Sequence, residues 1–204
     1  MKTNIKNYQN TIEKIKKTKE IIDFSMQLAL SIKSGSIKPE HICKQVNMDN
    51  KRMIDRDWTK SETDLKDDFA ITAKIAITSY AIIMLKESYA ALHSNSHGIA
   101  WANKEDNPDL YSAQKILQVV RNALGHMKSI PDTLEAKAYW NFRDSKDEDL
   151  FEIKQIEVVL DTRILDGQEF SWNQLGGLNN FLKVLDFLEQ DLQNRLKSCL
   201  IEKR

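Results

Sequence analysis

The stretch LQVVRNALGHMKSIP, residues 117–131, carries the side chains best suited to chemistry: Arg121, Asn122 and His126, set in an apolar helical pattern that Gly125 and Pro131 bring to a close. Histidine, with an ordinary pKa of about 6.5, exchanges protons near neutrality. Arginine stays cationic, and its planar fork matches phosphate oxygens. Those are the two groups that RNA cleavage without a metal needs: a base to take the proton of the ribose 2′-OH, and a cation to stabilise charge developing on the phosphate. By type, His126 is the candidate base or acid and Arg121 the phosphate clamp, with Asn122 donating to phosphate oxygens or orienting one of the two.

Spacing complicates this assignment. Five residues of regular helix turn through about 500°, so Arg121 and His126 would point ~140° apart and lie ~7.5 Å apart along the axis. Two routes bring them together: Gly125 adopts a left-handed conformation and swings His126 round, or a two-fold dimer supplies a second copy of the motif. A plainer reading stands beside both, in which Arg121 and His126 only complement the C-terminal end of a helix.

The elements that must position these residues are legible from periodicity. Ile5, Tyr8, Ile12, Ile15, Ile22, Met26 and Ala29 recur at steps of three and four, which predicts a helix over residues 3–33, closed by Gly35 as a C-terminal cap. A shorter helix is expected over Glu40–Asp55. Ser61 and Asp64 read as a capping box opening the most apolar helix, expected to run to about Leu92 and to be central. HSNSHGIAWANKEDNP is loop-like, and Asp109 is the expected cap of the helix that runs into the motif. After Pro131, β-branched and aromatic residues predict an antiparallel meander, with Asp166-Gly167 as a type I′ hairpin turn. The helical period then returns, with Leu178, Phe181, Leu182, Leu185, Leu188 and Leu192 on one side.

With 204 residues, 41% hydrophobic and only 6 Gly and 3 Pro, the composition is that of a mostly helical globular chain. Lys+Arg and Asp+Glu balance at 30 each, so no global field draws it to nucleic acid or an anionic membrane, and any such contact must be a local patch. Cys43 and Cys199 lack metal-ligand spacing and the N-terminus lacks a secretory apolar region, so a cytoplasmic protein is expected. The segment Phe69–Leu85 carries Lys74 and falls short of the ~20 apolar residues a membrane span needs, so no membrane partner is expected.

RNALGH, Arg121–His126, resembles the signature of the HEPN superfamily: arginine, a polar residue, then histidine after four to six positions. The downstream pattern W…FEI…VVLDTRILDG…GG is similar to bacterial proteins with an R-N-x-x-x-H core followed by a small sheet and a last helix, and the likeness covers roughly residues 61–190. Gly125 stands where the resemblance implies a small alanine-like residue. The resemblance implies a mainly α, HEPN-like helical bundle with a small antiparallel β-meander before the last helix. Residues 1–58 would be N-terminal helices, and 59–204 the HEPN-like domain with its β appendage at about 137–171. It further implies a metal-independent endoribonuclease acting on RNA as a homodimer without a cofactor, of the kind found as toxins or phage-defence effectors held in check by an antitoxin protein. The alternative is a non-catalytic module binding a nucleotide, RNA or a protein through the same cleft. A third possibility is a structural dimerisation protein.

Weaker constellations remain. His93 and His97 have i,i+4 spacing but sit in a loop-like sequence without an acidic or cysteine partner, so no metal site is expected there. That loop could instead cover the motif, His97 touching substrate and Trp101 stacking on a base. Lys2, Lys6, Lys14, Lys16, Lys17 and Lys19 form a basic stripe that reads first as a solvated face. Glu87 is an acid that could lie near the motif or simply face water, and Trp140 reads as core or interface.

Overall fold

The computed structural model describes residues 2–37, 62–92, 102–126, 128–129, 136–142 and 149–201. It is a mainly helical bundle with a small two-stranded antiparallel sheet before the last helix. In chain order come α1 (Lys2–Lys33), α2 (Glu62–Ala91), α3 (Pro108–Gly125), β1 (Lys128–Ser129), β2 (Ala136–Lys137), β3 (Leu150–Ile153), β4 (Val158–Asp161) and α4 (Leu178–Ile201). The helix expected over Glu40–Asp55, Ser61 of the expected capping box, and the loop carrying His93, His97 and Trp101 lie outside the described residues.

Two compact units are present: Glu20–Tyr80, and Met1–Lys19 together with Ala81–Arg204. In the first, Ala29, Ile32 and Ala70 form a small core with Leu28 and Ile37 against it. The buried Ser25 and Thr78 hydroxyls bond at 2.8 Å, so each satisfies the other. Gly35 takes φ 77 just beyond α1 and its N–H donates to the Ile32 carbonyl, the left-handed stop that the sequence predicts.

The second unit holds the motif. Here α3, not α2, is the most enclosed helix: Leu110, Ala113, Ile116, Leu117, Val119, Val120, Ala123 and Leu124 are all buried. By contrast α2 leaves Met84 48% exposed while burying Ile82 and Leu85. The reason is that α3 is covered by both β3 and α4, so its apolar or small residues must extend round most of its circumference.

β3 and β4 pair in the register Leu150↔Asp161 to Ile153↔Val158. Phe151, Ile153, Val158 and Leu160 point inward, while Leu150, Glu152 and Val159 point out, the alternation of a sheet with one buried face. The connecting turn is Lys154–Ile156 followed by left-handed Glu157 (φ 55), not Asp166-Gly167. Type I′ geometry, moreover, requires positive φ at both central residues, and only Gly167 (φ 74) has it. Segments 138–142 and 165–170 instead run antiparallel, with Trp140 N–H donating to Gln168 O (2.9 Å) and Gly167 N–H to Trp140 O (3.0 Å). Trp140 is a core residue at 1% exposure, its Nε1 donating to Gln174 Oε1 at 2.7 Å and its ring packed on Phe142 and Phe170. Among the described residues no helix is long and apolar enough to cross a membrane.

Candidate functional site

The helix bearing the motif is fixed at both ends. Asn107, rather than Asp109, caps it: the Asn107 side-chain oxygen accepts from Leu110 N–H at 3.1 Å, and Pro108 takes the first helical position, where its missing N–H costs nothing. Asp109 lies inside the first turn, buried, and accepts from Gln155 N–H at 3.1 Å, so it ties the β3–β4 turn to the helix. At the other end Gly125 is the last helical residue, without positive φ, and the chain leaves the helix at His126 (φ −116, ψ 42), whose N–H bonds Ala123 O at 3.4 Å. Gly125 does not take the left-handed conformation that would have swung His126 round.

Arg121 sits on the face shared by Gly125, one turn on. Its guanidinium extends along the helix toward the C-terminal end: a Cβ on Gly125 would lie 3.9 Å from Arg121 NH1, an ordinary contact. An alanine therefore fits at that position. Arg121 NH2 donates to Glu87 Oε1 of α2 at 2.8 Å, and Arg121 NH1 to Asn122 Oδ1 at 3.3 Å. Neither bond goes to a terminal carbonyl of α3, so bonding to helix carbonyls does not account for the pose of the arginine. The pair is open to solvent, with side-chain exposures of 26% for Arg121 and 51% for Glu87. Arg121 Nε is buried and has no acceptor among the described residues.

Asn122 is buried, and its amide oxygen orients the guanidinium beside it. His126 is half-buried at the helix end. The structure thus gathers Arg121, Asn122 and Gly125 with Glu87, 34 residues away in sequence, the acid that the sequence allowed either near the motif or in water. His97 and Trp101 lie outside the described residues, so their place relative to the motif is not part of this geometry. Among the described residues no group of three or more His, Cys, Asp or Glu side chains is arranged to hold a metal.

Of the lysine stripe on α1, two members are held by partners of the same unit: Lys14 Nζ bonds Ser88 Oγ at 2.7 Å, and Lys19 Nζ bridges Asp186 (2.6 Å) and Glu189 (2.7 Å). The chain matches no family model, no curated protein and no solved structure.

Proposed function

We propose that the protein is a metal-independent endoribonuclease of HEPN type, acting through Arg121, Asn122 and His126. The observation that carries this reading is the placement of the Arg121 guanidinium: partly exposed, over Gly125, at the helix end where His126 leaves the helix, and bonded to side chains rather than to helix carbonyls. In the reaction, His126 takes the proton of a ribose 2′-OH, the 2′-oxygen attacks the adjacent phosphorus, and the 5′-oxygen leaves with a proton from an acid. The products are a 2′,3′-cyclic phosphate and a 5′-OH end. Arg121 stabilises the charge on the phosphoryl oxygens, and Asn122 holds the guanidinium in line.

Because Gly125 does not take a left-handed conformation, it does not supply the turn that would swing His126 toward Arg121 within one chain. A two-fold homodimer with facing motif helices remedies this by pairing each arginine with a histidine across the cleft. A role as a cytoplasmic toxin or defence effector restrained by an antitoxin protein follows from the same resemblance. The test is incubation of purified protein with total RNA and transfer RNA in EDTA, beside His126→Ala and Arg121→Ala. Cleavage by the wild type alone, with cyclic phosphate ends, is expected. Retained cleavage in both variants refutes the assignment, and tight RNA binding without product makes the protein a binding module.

A further inference from the structure

The Arg121–Glu87 ion pair has a feature that a purely structural salt bridge lacks. The guanidinium makes one bond to a half-exposed carboxylate and a long one to its neighbour Asn122, while its Nε–H is buried with no acceptor among the described residues. An unsatisfied buried donor costs on the order of the hydrogen bond it forgoes. Among the described residues the strongest partner of the guanidinium is therefore the Glu87 carboxylate, at 2.8 Å. Lys86 Nζ lies 3.7 Å from the same Glu87 oxygen, at the weak end of ion-pair distance, and competes little for it.

We infer that Glu87 is a resident anion on the phosphate subsite: its carboxylate occupies the NH2 edge of Arg121, and an RNA phosphate must displace it to be clamped. Displaced but still nearby, the carboxylate repels the incoming phosphate, at a separation of roughly 5 Å. For a half-exposed group the water-like dielectric applies, and Coulomb's law then gives about a three- to tenfold loss of RNA affinity from Glu87. Displacement also frees the guanidinium to turn and give Nε–H an acceptor.

This inference rests on the reading of Arg121 as a phosphate clamp, and the experiment separates the two. Binding of a short, fluorescein-labelled 2′-O-methyl RNA, which lacks the nucleophile and stays intact, is measured for wild type, Arg121→Ala, Glu87→Gln, Glu87→Ala and the Arg121→Ala/Glu87→Ala double variant. Glu87→Gln and Glu87→Ala are both expected to bind about three- to tenfold tighter, since charge and not hydrogen bonding is what competes. The gain should shrink at 1 M salt and largely vanish in the Arg121→Ala background. Damaged packing does not produce tighter binding. If Arg121→Ala weakens binding but the Glu87 variants equal or fall below wild type, the resident-anion role is wrong and the clamp stands. Should Arg121→Ala bind like wild type, the clamp fails and the inference falls with it.

Discussion

Substitution of Asp109 probes how the motif helix is anchored. Its buried carboxylate accepts from Gln155 N–H at 3.1 Å and lies in the first turn of α3. Two effects add. A hydrogen bond to a charged group contributes about 1.5–3 kcal/mol, and a negative charge in a first turn contributes about 0.3–1 kcal/mol, reaching ~2 in partly buried sites. Asp109→Asn keeps an oxygen acceptor and loses the charge, so it should cost about 1–2 kcal/mol. Asp109→Ala loses both, at about 2–4 kcal/mol. For a chain of this size each kcal/mol lowers the melting temperature by roughly 2–4 °C, which separates wild type, Asn and Ala into a resolvable ladder. Urea and thermal unfolding followed by circular dichroism measure it, with an unchanged denaturant slope confirming that only stability moved. If Ala falls within about 0.5 kcal/mol of wild type, or Asn and Ala coincide, the carboxylate does not anchor the hairpin to α3.

Two further predictions concern the same unit. Trp140→Ala should cost about 3–5 kcal/mol by emptying an enclosed site, whereas Trp140→Phe should cost only about 1 kcal/mol beyond the lost ring volume, because Gln174 Oε1 keeps the Ser171 N–H as a donor at 2.7 Å; paired unfolding curves decide it. Asp149 has its carboxyl pKa lowered chiefly by the hydrogen bond from Lys104, against desolvation and with help from Leu150 N–H. A depressed folded pKa means the stabilisation is present above the unfolded value of about 3.9 and is lost as pH falls through the folded one. Asp149 is 34% exposed, so screening holds the effect below ~1 kcal/mol. The acid limb of stability should therefore be slightly flatter in Lys104→Met than in wild type, and an unchanged limb would contradict the pairing.

The helices were legible because their signals are local. A three- and four-residue apolar step fixes which face of α1 is buried whatever it packs on, and Tyr8, Ile12, Ile15, Ile22 and Ala29 are buried while Ile5 and Met26 are only partly so. Gly35 was readable as a stop for the same reason: left-handed backbone favours glycine irrespective of context. Reading failed where the answer lay in a partner. Asp109 looks like a cap, yet Asn107 holds that place two residues earlier, and burial against Gln155 takes the carboxylate instead. Asp166-Gly167 has hairpin composition, but which strands pair is set by long-range register, and the tight turn fell to Lys154–Glu157. At the candidate site, sequence placed Arg121 and Asn122 near the end of α3 and His126 just beyond it through their proximity in the chain. That Arg121 meets Glu87, one of the two readings the sequence left open for this acid, was decided by the tertiary structure, since pairwise side-chain geometry between distant segments leaves no periodic trace in either.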